Sequence, residues 1–539
     1  MRGRWSSCSS RCSDRPACTR PAARTSPYAS CSTKFAGNFG TQLRDQPDIE
    51  ASLRGTIARA YLSLGLPAEA QRHLAIALEL LRGAADPDET RIADLLEVSA
   101  WCAHEEGRWG DAEQEFRGVL AERIELTGPL DAAVARAQFC VGDVLRHRGE
   151  AEAAENSVRE SLATWKAVGG DEHPDRLSSL SLLGQLLQDR GELAEAKEVF
   201  GEAVELSLRV NGERHPNTST LLNNLGVVCK MNGEYGPAEE DFQRALAIRR
   251  ELVHGDHPEI ARVLNNLGEL RRNQGKAQEA VDLLRESLEM RQRLLPPQHS
   301  DTAQSLNNLA LALFATGDVD QAIECLQKCV EIRRAGEHDP LLPLALTNLA
   351  SLLRSRGDFD GAIALCREAL AIQEEGLPSD HPEVASTLLA FGRTYRDHGD
   401  LAQAEPLLRR ALEIRTGRFG EQSTQTAECQ LHLGGTLRVK GDAAAAEPLL
   451  RSCTGTYVAL LGEAHYNGAL ARTDLGICLR DLGRLDEAEA ELLAAHRVLE
   501  GRLGAKDSRT KRAARELATL YDALQRGDEA ERWRTAAAR

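Results

Sequence analysis

Aromatic residues make up only 4% of the 539 residues, and there are three methionines. Ala, Leu, Glu and Arg dominate instead. Those residues favour helix, while strands draw on Val, Ile, Thr and aromatics, so a strand-rich architecture is excluded. No apolar run approaches the roughly 18 residues that a membrane helix needs, and the N-terminus lacks the apolar stretch of a secretory signal. Both absences predict a soluble, cytoplasmic protein with no membrane partner.

The motifs of catalysis are also missing: there is no Walker loop, no H-E-x-x-H, no G-x-S-x-G and no EF-hand loop. No catalytic residues and no cofactor are expected, and the chain is read as a non-enzyme. Of the thirteen cysteines, Cys8, Cys12, Cys18 and Cys31 lie near the N-terminus and nine are scattered. Without a C-x-x-C pair or zinc-ligand spacing, neither a disulfide framework nor a metal site is indicated.

Charge divides the chain. Residues 1–41 carry seven Lys or Arg and one acid, Asp14, which gives +6 and leaves −22 for residues 42–539. A body that acidic repels a phosphate backbone, so no nucleic-acid partner is expected. The basic Ser/Arg/Cys-rich segment 1–41 has no apolar periodicity and reads as a disordered tail; its Arg-rich, acid-poor composition also fits a transit peptide.

What the remainder does contain is a glycine followed five residues later by alanine, as in Gly233 to Ala238 and Gly317 to Ala322. The glycine returns at 65, 107, 149, 191, 233, 275, 317, 357, 399, 441 and 483, and in shortened form at Gly527. The spacing is 42 except for one step of 40 and a last step of 44. Such self-similarity means a solenoid or a propeller. Apolar residues on both sides of Gly233 follow helical spacing: Leu221, Leu222, Leu225, Val228 and Cys229 before it; Ala238, Phe242, Ala245, Leu246 and Ile248 after it. Each period is therefore a helical hairpin. Glycine suits the left-handed turn, and alanine suits a close helix crossing. Prolines 174, 216, 258 and 382 suit a first helical turn.

The spacing L-G-x-x-x-x-x-x-G-x-x-x-x-A, seen from Leu225-Gly226 to Ala238 and from Leu267-Gly268 to Ala280, resembles the tetratricopeptide repeat. The 42-residue form, with L-N-N-L-G, R-A-L-A-I-R and G-D-H-P, is similar to the kinesin-light-chain-type subgroup. The resemblance implies an all-α, right-handed superhelical solenoid of about twelve helical hairpins over residues 42–539, closed by a shortened C-terminal capping repeat. Leu43 to Leu64 also resembles the start of repeat regions that follow a kinase domain in some bacterial signalling proteins.

In stacked hairpins the first helices line the concave side. Stepping 100° per residue back from each turn glycine, positions −3 and −10 fall opposite the apolar stripe, with −9 on its flank. Position −3 supplies Arg146, Lys230, Arg272, Arg354, Arg396, Arg438 and Arg480, with His104, Gln188 and Phe314 in the remaining repeats. Two readings stand: a basic ladder for acidic peptide, or a solvated face pairing with acids such as Glu269. Position −10 supplies Asn223, Asn265 and Asn307; position −9 supplies Asn224, Asn266, Asn308 and Asn348. An amide matches an extended peptide backbone, and the −9 series resembles the asparagine ladder of peptide-binding tetratricopeptide superhelices; hydrogen bonding between repeats is the other reading. The loop histidines His173, His215, His257 and His381 read as helix-start residues, and Cys325 and Cys329 as core.

The expected function is an adaptor or scaffold that grips an extended, acidic protein segment in its groove. The alternative is the regulatory or sensor region of a bacterial signalling protein whose kinase domain is missing or on another chain. Oligomeric state is not fixed by sequence.

Overall fold

The computed structural model describes residues 43, 45–336 and 339–538; residues 1–41, expected to form a tail, lie outside the described residues. It holds 24 helices, from α1 (Pro47–Ser63) to α24 (Gly527–Ala538), and no strand among the described residues. None of the helices is long and apolar enough to cross a membrane. The helices gather into two compact units, one ending at Gly275 and one beginning at Lys276.

In the first unit the helices that open each repeat are α1, α3 (Glu89–Glu105), α5 (Ala132–His147), α7 (Arg176–Arg190), α9 (Pro216–Met231) and α11 (Pro258–Asn273). In the second they are α13 (Ser300–Thr316), α15 (Leu342–Arg356), α17 (Pro382–His398), α19 (Thr424–Val439), α21 (Tyr466–Asp481) and α23 (Ser508–Ala523). Within each unit, each helix packs on its chain neighbours. First helices also touch the next first helix, as α5 does α7 and α17 does α19. That closeness places the first helices on the inner side of each unit.

The repeat grammar is local physical chemistry. All eleven regularly spaced turn glycines have positive φ, from 71° at Gly65 to 96° at Gly399 and Gly441, where a Cβ is disfavoured. Asp318, Asp358, Asp400 and Asp442 follow the glycine directly and cap the second helix, each accepting a backbone N–H three residues on. Pro216, Pro258 and Pro382 open their helices as expected. Pro174 does not: it sits in a turn before α7, which starts at Arg176.

Of the four loop histidines read as helix-start residues, three are caps; His173 instead accepts the Asp175 N–H at 3.2 Å ahead of α7. His215, His257 and His381 lie at the N-cap, and Nδ1 of each accepts the backbone N–H two residues later, at 3.1, 3.1 and 3.2 Å. His299 and His465 do the same. Burial, with Arg249 close by, holds His215 and His257 below the ordinary imidazole pKa, which keeps Nδ1 free to accept. Cys329 and Cys453 fill the buried slot that Ala245 holds elsewhere. Burial raises both thiols, as inert core cysteines require.

The last turn corrects the sequence reading. Gly527 is not its pivot but the first residue of α24; the left-handed residue is Gln525, φ 57°, still 42 residues after Gly483. The period holds and the glycine is displaced. A left-handed side-chain-bearing residue costs about 1–2 kcal/mol, partly offset by the ~0.5–1 kcal/mol entropic penalty of glycine. Gln525→Gly should therefore raise stability by about 0.5–1 kcal/mol, read as a higher urea midpoint at unchanged slope; a lower midpoint would mean that the glutamine side chain itself contributes more.

Candidate functional site

The inner face is built from the turn glycine backwards. A residue at −3 on one first helix reaches toward positions −6 and −2 of the next first helix in the same unit. Thus Lys230 pairs with Glu269 at −6, and Arg354 and Arg438 pair with Asp397 and Asp481 at −2. Arg480 meets Glu516 on α23 at 2.7 Å and its own neighbour Asp481 at 3.1 Å. Arg146 contacts Asp143 at 3.3 Å. Arg272 reaches Asn273 Oδ1 at 3.2 Å, with no carboxylate in ion-pair range among the described residues. Most of the ladder is thus compensated by acids, as the second of the two sequence readings has it, with Glu269 as its named example.

The asparagines divide by depth. Asn223 and Asn265, read from sequence as groove-facing, are 2% and 1% exposed, whereas Asn307, also at −10, is half-buried. Asn266 Nδ2 donates to Asn223 Oδ1 at 2.9 Å, and Asn223 Nδ2 donates to Asn224 Oδ1 at 3.4 Å. In the second unit Asn348 donates to Asn307 at 2.9 Å, and Asn307 to Asn308 at 3.2 Å. The two asparagine positions therefore stitch adjacent repeats together. Asn224, Asn266, Asn308 and Asn348 remain half-buried, at the edge of the face.

Positive charge concentrates at one place. Arg393, at −6 on α17, lies within reach of the charge of Arg354, which also pairs with Asp397. Positions −6 and −2 of α19, opposite Arg396, hold the uncharged Gly435 and Val439; Arg396 Nη1 lies 3.3 Å from His432 Nδ1, and Arg396 shares Asp397 with Arg354. Burial, then repulsion from Arg354, pushes the Arg393 guanidinium down to about 10. Burial and the surrounding arginines, Arg393 first, hold His432 well below the ordinary imidazole value. Arg393 Nε is buried without a hydrogen-bond partner. Sequence reading missed Arg393 because position −6 was not projected onto the face; His432 appeared only as a break in the asparagine series.

A pocket opens on the inner face of the first unit, lined by Glu97, Trp101, Arg136, Phe139, Cys140, Asp175 and Ser178. Glu97 and Phe139 hold position −10 there, and burial raises the Glu97 carboxyl despite Arg136.

The family model of the tetratricopeptide repeat matches residues 133–207, 179–251, 259–335 and 341–417, and a second model of that repeat matches 469–494, together just over half of the chain. Among solved structures, the chain is similar to kinesin-light-chain-type TPR-like repeats of Podosopora anserina, at 26% identity over 38% of this chain and 98% of that one, TM-score 0.34. It is similar to BtubC (BKLC) from P. vanneervenii at 19% identity over 53% and 91% of the two chains, TM-score 0.31. The apo form of RapI aligns at 14% identity over 69% of this chain and 99% of that one, TM-score 0.52, a likeness of fold. No curated protein matches the chain. With its helical hairpins, left-handed turn glycines and repeat matches, the chain belongs to the tetratricopeptide repeat family.

Proposed function

We propose that the protein is a non-catalytic, cytoplasmic interaction scaffold that binds an extended acidic protein segment along the inner face of its second unit, anchored by Arg354, Arg393 and Arg396. The observation that carries this reading is Arg393: a half-buried guanidinium close to those of Arg354 and Arg396, with Glu428 and Asp397 as the nearby acids. A carboxylate placed there would relieve like-charge repulsion and meet planar donors suited to it. The body is acidic overall, so attraction is local to this cluster. Asn308 and Asn348, with Asn224 and Asn266 on the first unit, hold backbone beside it in this reading.

Binding of an oligoglutamate peptide, followed by calorimetry at several salt concentrations, tests it. Arg393→Gln should weaken binding about tenfold or more, as loss of a charged hydrogen bond worth ~1.5–3 kcal/mol does, and should flatten the salt dependence. The same substitution should leave the melting temperature unchanged or raise it, because it removes a like charge. Asn308→Ala should weaken binding by ~0.5–1.5 kcal/mol with the salt slope kept. Arg409→Gln, on the exposed second-helix surface, is the control. Normal binding by Arg393→Gln alongside weakened binding by Arg409→Gln would move the partner to the outer surface.

A further inference from the structure

We propose that His104, Asp143 and His147 form a binding site for a divalent transition-metal ion of the zinc class. The site lies on the first unit and is independent of the acidic-peptide reading. It follows the same rule of the fold: His104 is at −3 on α3, and Asp143 and His147 are at −6 and −2 on α5, four residues apart and so on one face. At Arg354 with Asp397 and at Arg438 with Asp481, the −3 and −2 positions hold arginine and acid. Here −3, −6 and −2 hold three metal-ligating groups, and one ligand atom from each lies within 4.8 Å of the others.

His104 carries the argument. It is 7% exposed, and its buried Nδ1 has no hydrogen-bond partner, so that nitrogen forfeits its hydration with no return. Its Nε2 stands 3.3 Å from Asp143 Oδ2, and Asp143 is 5% exposed. The rings of Trp101 and Trp109 meet the imidazole edge-on at 5.1 and 4.9 Å, walling it from solvent. Trp109 stacks on His147 at 4.6 Å, 5° from parallel, and so fixes the plane of the second imidazole.

A cation already lies between two of the three ligands: Arg146 Nη2 is 3.3 Å from Asp143 Oδ1 and 3.0 Å from His147 Nε2. Arg146 is partly exposed, and the charge of Asp189, at −2 on α7, also acts on it, so it has an acid to turn to when a metal displaces it. Two imidazoles and a carboxylate suit zinc, cobalt or nickel and not magnesium or calcium. Bonds of about 2.0–2.1 Å bring tetrahedral ligands about 3.3 Å apart, a contraction within reach of side-chain rotation. The fourth position would be water. Bound metal would tie α3 to α5, the first helices of successive repeats.

The test is titration of the full, chelator-stripped chain with Zn2+ by calorimetry, and with Co2+ by visible absorption. The expected result is a single saturable site, with the d–d band of four-coordinate Co2+ and no thiolate-to-cobalt band. Affinity should fall by more than about tenfold in His147→Ala, an exposed change that spares the core, and in His104→Ala and Asp143→Asn once circular dichroism shows them folded. Arg146→Met should bind more tightly than wild type, because it removes the competing cation. Absence of saturable binding would overturn the proposal. So would binding that survives both His147→Ala and His104→Ala, the result expected if the N-terminal cysteines were the ligands.

Discussion

Phe200→Ala should destabilise the first unit by about 3–5 kcal/mol, the range for removing a fully buried aromatic side chain, and Phe242→Ala should match it. Both rings are 0% exposed and sit nine residues after a turn glycine, on the inward side of a second helix. Each lies over a glycine of the first helix: a Cβ on Gly184 would stand 2.7 Å from Phe200, and one on Gly226 would stand 2.8 Å from Phe242. Glycine has no side chain to move into the space, so the hollow left by the ring persists and the effect falls high in the range. Gly184→Ala should itself be destabilising by ~1–3 kcal/mol through overpacking against Phe200, yet nearly neutral once Phe200 is alanine. Urea unfolding of the two single mutants and the double mutant measures that coupling. Because each repeat leans on its neighbours, hydrogen exchange should show the loss concentrated around α7, α9 and the second helices that follow them, Leu193–Asn211 and Tyr235–Leu252. A loss below about 1 kcal/mol, or strict additivity, would mean that the ring and the glycine do not share one packing site.

How much of this could be read from sequence depends on whether the cause lies within one repeat. The turn glycines, the alanine at the crossing and the histidine before a helix act on backbone a few residues away, and all three were legible. Gln525 was not, since a nearby glycine at 527 imitates the turn signal while the register passes to a residue that bears the strain. The inner face was half legible. Helical stepping puts Asn223 and Arg354 on the same side, but only the approach of the next first helix buries the one and gives the other Asp397. That approach brings position −3 against positions −6 and −2 of the following repeat. The rule explains the compensated arginines, the approach of Arg354 to Arg393 and the grouping of His104 with Asp143 and His147, residues that no linear motif joins.

Arg333→Met should cost about 3 kcal/mol in the second unit, toward the lower end of the range for breaking a buried ion pair because Asp339 keeps some access to water. Arginine recurs sixteen residues after the turn glycine, at Arg123, Arg249, Arg291, Arg333 and Arg415, and each is nearly buried although it carries a charge. These residues end the second helices and reach the starts of first helices: Arg249 donates to the Pro216 carbonyl and Thr220, Arg291 to Ser305, and Arg415 to the Gln425 carbonyl and Glu428. The R-A-L-A-I-R run marks this strut in the sequence, but its helical spacing alone does not disclose that the last arginine points inward. Arg333, at the end of α14 (Val319–Ala335), is 4% exposed and meets both oxygens of Asp339 at 3.0 Å. Asp339 Oδ1 also accepts the Leu341 N–H at 2.8 Å, so one carboxylate joins the strut to the turn that begins α15. Methionine would replace the arginine stem but leave that carboxylate without its cation. Arg333→Lys should recover only part of the loss, since an ammonium cannot hold two oxygens in a plane. Arg333→Met combined with Asp339→Asn should be more stable than Arg333→Met alone, because the amide oxygen still accepts from Leu341 and no charge is stranded. Urea unfolding of the three variants and the wild type at low and high salt is the measurement. A loss that disappears with added salt would place the pair in solvent, where screening acts, and would remove this arginine from the struts between repeats.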